Sequence, residues 1–135
     1  MKTLVIDIDA TLTLADTADY TAVSPNLPVV ETLRNYKAQG FEIVLFTSRN
    51  MRTYNNDVGK ITANMLPTLF AWLAKHDIPY DSVVVGKPWC GTQGFYVDDK
   101  AIRPSEFLNN SYEEIQALLK VEKDLLGSNA LADAF

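Results

Sequence analysis

Hydrophobic and polar positions follow two alternating patterns along the chain. Short apolar runs, typical of buried strands, are separated by longer segments with apolar residues every three or four positions, which are typical of helices. This order predicts an α/β fold, a single doubly wound, Rossmann-like parallel sheet with helices on both faces. The predicted strands are Leu4 to Ile8, Glu42 to Phe46, Ser82 to Val85 and Phe95 to Val97.

Two helices are predicted between these strands. The first spans Pro28 to Gln39, and Gly40 is placed to stop it. The second spans Leu66 to Lys75, where Pro67 either opens the helix or kinks a longer one that begins near Lys60. Both readings are compatible with the apolar spacing.

A polar stretch from Asn50 to Lys60 is predicted to be a loop. The last helix follows Ser111 and Glu114, whose spacing is that of a capping box, and Gly127 should end it. These start and stop signals are local, so they predict the bounds of this helix directly.

Length and composition favour one domain. A chain of 135 residues can bury a core without disulfides, so we expect a domain over residues 1–127 and a tail, 128–135, that is frayed or docked on a partner subunit. Cys90 is the one cysteine, which fits a reducing cytoplasm.

No stretch has the length of a membrane span or the composition of a secretory leader, so we expect a cytoplasmic protein with no membrane partner. The net charge of −5 argues against nucleic acid as a partner.

Polar residues follow each predicted strand. Because ligands bind beyond the carboxyl ends of the strands in an open α/β sheet, these residues should converge on one crevice. Carboxylates suit Mg²⁺, which accepts one or two of them together with phosphate oxygens, and hydroxyl and ammonium groups would bind the other phosphate oxygens. The residues are Asp7, Asp9, Thr47, Ser48, Lys87, Asp98 and Asp99.

Four short segments resemble the ordered motifs of the haloacid dehalogenase superfamily of phosphohydrolases. They are Asp7-Ile8-Asp9-Ala10-Thr11, Phe46-Thr47, Gly86-Lys87-Pro88 and Val97-Asp98-Asp99. The wider context is similar to small phosphatases of bacterial capsule and polysaccharide biosynthesis, and the resemblance extends to about Leu108. It implies a Mg²⁺-dependent phosphatase.

The resemblance also implies a role for each matched residue. Asp7 would be the nucleophile that takes the phosphoryl group, and Asp9 would be the general acid and base. Thr47 and Lys87 would hold the transferring phosphoryl group. The Mg²⁺ ligands would be Asp7, Asp9 mainly through its backbone carbonyl, Asp98, and Asp99 directly or through the outer shell.

Substrate binding and assembly are expected from what the chain leaves out. Neither interval between the first three motifs can hold a cap domain. The resemblance implies that capless relatives usually act on large substrates or close their sites with a neighbouring subunit, so we expect a homo-oligomer such as a tetramer. Ser48, Arg49 and Arg52 lie where they could bind the substrate. A sugar phosphate, or a phosphorylated intermediate of surface polysaccharide, is the expected small-molecule partner.

Two other functions fit parts of the pattern. A non-catalytic relative that binds a phosphorylated ligand is suggested by Ala10, because the family commonly has glycine there and a positive φ at alanine is costly. A receiver-like phospho-switch shares the residue types, but receivers place their acidic pair first, whereas Asp98 and Asp99 follow Lys87 here.

Overall fold

The computed structural model describes residues 2–15 and 19–127, which fall into two compact units divided after Trp89. The predicted tail, 128–135, lies outside the described residues, and the expected single domain over 1–127 stays a prediction. The first unit contains β1 (Thr3–Asp7), α1 (Leu27–Ala38), β2 (Glu42–Phe46), α2 (Val58–Asn64), α3 (Leu66–Lys75) and β3 (Ser82–Val84). The second contains α4 (Pro104–Asn109) and α5 (Tyr112–Leu125).

The sheet is parallel and has three strands in the order β1-β2-β3. Ile6 of β1 lies beside Leu45 of β2, and Phe46 lies beside Val84 of β3. The α/β class and three of the predicted strands are confirmed to within one residue. The described strands follow chain order, so they do not include the reversal of order that defines a doubly wound sheet.

One face of this sheet forms the core. Side chains alternate along a strand, so Ile43 and Leu45 share a face, and both are completely buried. The opposite face is more open, because Val5 is 58% exposed and Val84 is 44% exposed. The described residues therefore bury one face of the sheet fully, and the expected helix cover on both faces is not confirmed.

The predicted fourth strand, Phe95 to Val97, is wrong. In the second unit this segment is irregular, and Phe95 and Val97 are 80% and 87% exposed. A strand is stabilised by a ladder of hydrogen bonds to a neighbouring strand and by burial of its apolar side chains. The sheet of the described residues does not include this segment, and its side chains are largely exposed. An apolar run of three residues was too short a signal to predict a strand.

The helices are close to their predicted bounds. Gly40 follows α1 with φ +93°, and α3 begins at Leu66 with Pro67 in its first turn. The helical path is interrupted at Met65 between α2 and α3. Pro67 has no N–H to offer to the carbonyl oxygen four residues earlier, so its ring favours a new helix start there.

Part of the predicted loop from Asn50 to Lys60 is helical. The carboxylate of Asp57 accepts a hydrogen bond from the Lys60 N–H at 3.1 Å, which caps α2 and starts it at Val58. An aspartate three residues before an exposed N–H is a standard helix start. The polar composition of the stretch concealed this cap.

The capping box of α5 is confirmed. The Glu114 N–H donates to Ser111 Oγ at 3.2 Å, and the Ser111 N–H donates to Glu114 Oε1 at 2.8 Å. The helix ends before Gly127, which has φ +73°. Among the described residues, no helix combines the length and apolar character required to cross a bilayer.

Asp81, just before β3, ties three elements together. Its Oδ2 accepts the Ile43 N–H of β2 at 2.8 Å, and its two oxygens lie 2.7 and 2.8 Å from the Lys37 ammonium of α1. The Ile43 N–H first, and then Lys37, lower the pKa of the Asp81 carboxyl. A lowered pKa stabilises the fold above the ordinary aspartate pKa of about 3.9, and this contribution is lost as the pH falls through the lowered value.

We therefore expect Asp81→Asn to lower the free energy of unfolding in urea at pH 7. The deficit relative to wild type should shrink as the pH falls below about 4, where the wild-type carboxyl also protonates. Asp77→Asn, at an exposed turn residue, serves as the control for the change in side chain. A deficit of the same size at pH 7 and pH 3 would assign it to hydrogen-bond geometry and not to charge.

Candidate active site

The chain turns sharply where β1 ends. The carbonyl oxygen of Ile8 accepts the Leu12 N–H at 2.8 Å, and the Ala10 N–H donates to Thr13 Oγ1 at 2.8 Å. Ile8 and Leu12 are completely buried, and Thr13 is nearly so. This buried turn fixes the backbone that carries Asp7 before it and Asp9 within it.

Ala10 occupies the left-handed region of this turn, with φ +61°. For an L-residue with a Cβ this conformation costs about 1 kcal/mol or more. The sequence predicted that alanine would destabilise this turn if the position had a positive φ, and the position does have one. The turn nevertheless forms with alanine, so its strain is offset by the hydrogen bonds and burial around it.

Asp7 forms an ion pair with Lys87. The Lys87 Nζ lies 3.3 Å from Asp7 Oδ1, and the Thr11 hydroxyl donates to Oδ2 at 3.1 Å. Burial raises the pKa of the Asp7 carboxyl, because desolvation outweighs the opposing attraction of Lys87. Asp7 is therefore a carboxylate of increased basicity, and its side chain remains 31% exposed. A basic, accessible carboxylate is suited to nucleophilic attack.

Asp9 is held more completely than Asp7. The Thr47 hydroxyl donates to Oδ2, and the Tyr20 hydroxyl and the Arg49 Nη2 both donate to Oδ1, each at 2.8 Å. The Asp9 side chain is 14% exposed and that of Arg49 is 12% exposed. Three donors on a nearly buried carboxylate satisfy it and fix its direction.

Tyr20 and Arg49 also contact each other. The guanidinium carbon of Arg49 lies 4.6 Å from the centre of the Tyr20 ring, which is within the range of a cation–π interaction. Burial, and then the charge of Asp9, raise the pKa of the Tyr20 hydroxyl, so it stays protonated and donates. The backbone N–H of Arg49 donates to Thr47 Oγ1 at 3.0 Å. Asp9, Tyr20, Thr47 and Arg49 thus form one network, which we call the Asp9 network.

The backbone brings Lys87 to the edge of the sheet. The Thr47 N–H donates to the Val84 carbonyl at 3.1 Å, and the Lys87 N–H donates to the Thr47 carbonyl at 3.2 Å. Gly86 lies between Val84 and Lys87 in the chain. It has φ +88°, and a Cβ added to it would lie 3.2 Å from a methyl group of Val58. The left-handed conformation favours glycine here, and an added Cβ would also require the Val58 side chain to shift by a few tenths of an ångström.

The structure therefore brings together four of the predicted site residues: Asp7 with Lys87, and Asp9 with Thr47. Arg49 was predicted to bind substrate, and the structure places its guanidinium on Asp9. Tyr20 was not predicted at all. It lies in a loop 11 residues after Asp9, and an isolated tyrosine outside any motif gave no signal.

The other predicted residues are Ser48 and Arg52 in the first unit and Asp98 and Asp99 in the second. The Ser48 carbonyl accepts the Met51 N–H at 3.1 Å, and the Arg52 guanidinium lies 5.8 Å from the Trp89 ring.

Asp98 and Asp99 are exposed in the second unit, where the Lys100 N–H donates to Asp98 at 2.9 Å and lowers the pKa of that carboxyl. Their predicted part in a metal site is not tested. In the described part of the chain, no group of three or more His, Cys, Asp or Glu residues is spaced to hold a metal ion.

The donor chemistry of the first unit fits a hard cation. Carboxylate and carbonyl oxygens are the ligands that Mg²⁺ prefers. Asp7 has its carboxylate partly exposed, whereas both carboxylate oxygens of Asp9 already accept hydrogen bonds. Asp7 could therefore bind a cation through its carboxylate, and Asp9 could contribute its backbone carbonyl. A cation would also offset the desolvation of Asp7.

Comparison with known proteins identifies a relative. No protein-family model and no curated protein matches the chain. The crystal structure of a structural-genomics target from Vibrio cholerae is 56% identical in sequence, with a TM-score of 0.88, and the match covers 91% of this chain and 100% of that one. The two chains belong to one family.

The strain at Ala10 can be measured. Ala10→Gly should raise the free energy of unfolding by about 0.5 to 1 kcal/mol, because relief of the left-handed strain exceeds the entropy that glycine adds to the unfolded chain. The same substitution at Ala71, an exposed position inside α3, should lower it by about 0.5 to 1 kcal/mol. Urea titration of both variants checks the two signs. A loss of stability in Ala10→Gly would contradict the strain.

The burial of Asp7 predicts a pH-dependent stability. A raised pKa means that the fold favours the protonated carboxyl, so stability is lost as the pH rises from the ordinary aspartate pKa through the raised value. Asp7→Asn, which is neutral, should therefore be more stable than wild type at pH 7 in a chelating buffer, and the gain should vanish near pH 3.

Asp19→Asn is the control for this prediction, because the pKa of the Asp19 carboxyl is shifted in the opposite direction. The Thr21 hydroxyl lowers the pKa of the Asp19 carboxyl, so this variant should be less stable than wild type at pH 7. Thermal denaturation at several pH values measures both. An Asp7→Asn variant less stable than wild type at pH 7 would show that the Lys87 pair outweighs the cost of burial.

Proposed function

We propose that this protein is a Mg²⁺-dependent phosphomonoester hydrolase of the haloacid dehalogenase type, acting through an aspartyl phosphate on Asp7. The observation that carries the proposal is the pair of unlike carboxylates at the end of β1. Asp7 is basic, accessible and paired with Lys87, while Asp9 is enclosed by three hydrogen-bond donors. Two carboxylates in different environments are suited to two different tasks.

In the first step an Asp7 oxygen attacks the phosphorus atom, and the bond between phosphorus and the ester oxygen breaks. The carboxyl group of Asp9 gives its proton to the departing oxygen, which leaves as an alcohol. In the second step Asp9 takes a proton from water, whose oxygen attacks phosphorus. The bond between phosphorus and the Asp7 oxygen breaks, so inorganic phosphate forms and the Asp7 carboxylate is regenerated.

Lys87 supports the first step by its charge. Its ammonium group lies 3.3 Å from Asp7, so it would also lie near a phosphoryl group that Asp7 attacks. Phosphoryl transfer depends mainly on positioning and on neutralising the phosphoryl oxygens. The turn at Gly86 fixes the backbone of the lysine, and the ring of Phe46 lies 5.8 Å from its Nζ. A side chain supported in this way is positioned before the substrate arrives.

Mg²⁺ is the proposed cofactor. Asp7 would hold it through its carboxylate and Asp9 through its backbone carbonyl, and the sequence resemblance adds Asp98 and Asp99. When bound, Mg²⁺ neutralises charge on the phosphoryl oxygens. As part of the same proposal, the sheet belongs to a doubly wound fold of the haloacid dehalogenase type.

The proposed substrate is a sugar phosphate or a phosphorylated intermediate of surface polysaccharide, acted on in the cytoplasm. This part rests on the resemblance to capsule and polysaccharide phosphatases, as does the expected homo-oligomer, such as a tetramer. The Arg52 guanidinium over the ring of Trp89 supplies a cation and an apolar face, both of which suit a phosphorylated sugar.

Phosphate release tests the proposal. Wild type should release phosphate from an aryl phosphate, and from members of a panel of sugar phosphates, with Mg²⁺ and not with a chelator. Asp7→Asn should lower the rate by at least about 1,000-fold, because the nucleophile is removed. Asp77→Asn, the same substitution at an exposed turn, should keep the wild-type rate.

Two outcomes would count against it. Equal rates in Asp7→Asn and wild type would remove Asp7 as the nucleophile. Saturable binding of a phosphate ester by wild type without any turnover would favour the phospho-ligand binding alternative, for which the strain at Ala10 is the supporting observation.

A further inference from the structure

Tyr20 is a buried residue that no motif explains. It is 4% exposed, and its hydroxyl donates to Asp9 Oδ1 at 2.8 Å. We propose that Tyr20 is a positioning residue whose hydroxyl directs the carboxyl group of Asp9 toward the departing oxygen of the substrate. This inference rests on the proposed function, which gives Asp9 the role of proton donor.

The Asp9 carboxyl is held on both of its oxygens. Thr47, completely buried at the end of β2, donates to Oδ2, and Tyr20 and Arg49 donate to Oδ1. Rotation of the carboxyl plane would break hydrogen bonds on both sides at once. Proton transfer requires a donor within hydrogen-bond reach and in the correct direction, so a fixed plane favours the reaction.

Tyr20 is itself anchored from α3. Its ring packs against that of Trp72, with 5.9 Å between the ring centres, and the Trp72 indole N–H donates to the Val23 carbonyl at 2.9 Å. Val23 belongs to the same loop as Tyr20, and its N–H donates to the Asp19 carbonyl at 3.0 Å. The loop is thus fastened to α3 independently of Asp9.

Arg49 contacts both Tyr20 and Asp9. Its guanidinium stacks on the Tyr20 ring at 4.6 Å while donating to the same carboxylate oxygen. The phenol ring therefore supports a second donor besides its own hydroxyl. Tyr20→Phe removes the hydroxyl, which contacts both Asp9 and Arg49, and keeps the ring that packs on Trp72 and Arg49.

The test compares two leaving groups. The nitrophenolate of 4-nitrophenyl phosphate departs with little help from an acid, whereas the alkoxide of an alkyl or sugar phosphate needs a proton. The value of kcat/KM reports the steps up to departure of this group. Tyr20→Phe should lower kcat/KM for the alkyl phosphate about tenfold or more, and for 4-nitrophenyl phosphate less than about threefold.

The ratio of the two kcat/KM values is measured on one preparation, so partial unfolding of the variant cancels. Tyr80→Phe is the matched control, because Tyr80 stacks on Phe70 at the surface, and it should leave the ratio unchanged. An unchanged ratio in Tyr20→Phe would overturn the inference, whatever its effect on either rate alone.

A second measurement tests whether Tyr20 acts through Asp9. In an Asp9→Asn background, adding Tyr20→Phe should cause no further change in the ratio, because the group being positioned no longer donates a proton. A further change of the same size as in wild type would contradict the inference. Failure of the proposed function would appear separately, as Asp7-independent or absent turnover of both substrates by wild type.

Discussion

The structure around β1 depends on satisfying two carboxylates, of which Asp9 is nearly buried and Asp7 is partly exposed. A buried carboxylate without donors would cost several kcal/mol, so each aspartate needs partners that the fold must bring from elsewhere. Lys87 comes to Asp7 through a turn after β3, and Thr47 and Arg49 come to Asp9 from the end of β2. The parallel sheet makes this possible, because it places the ends of its strands at one edge.

The two carboxylates are satisfied to different degrees, and that difference has a functional meaning. Asp7 has one cation and one hydroxyl and remains partly open, with a raised pKa. Asp9 is closed by three donors. The open, basic carboxylate fits a nucleophile, and the closed one fits a group whose direction matters. The chain leaves the two carboxylates through a turn in which Ala10 adopts a strained, left-handed conformation.

Local signals predicted much of the fold. The apolar run of β2 and the capping box of Ser111 and Glu114 act over a few residues, so their elements were predicted to within a residue. The cap at Asp57 was equally local but was overlooked in a polar stretch.

Features that depend on tertiary contacts were harder to predict. The prediction of a strand from Phe95 to Val97 was wrong because a strand forms only with a neighbouring strand, and a sequence does not state which neighbour is present. The convergence of Asp7, Asp9, Thr47 and Lys87 was predicted from strand ends, but the hydrogen bond from Thr47 to Asp9 was not, because Thr47 was expected to hold the phosphoryl group. Tyr20 reaches Asp9 through tertiary packing on Trp72, which leaves no pattern in the sequence.

The central claim is that Asp7 carries the phosphoryl group during turnover. The most direct measurement is to quench the reacting enzyme in acid, reduce it with borohydride and sequence its peptides by mass spectrometry, since borohydride converts an aspartyl phosphate into homoserine. The account predicts homoserine at position 7, and only when substrate was present. Phosphate release with an unmodified Asp7, or homoserine at another aspartate, would contradict it.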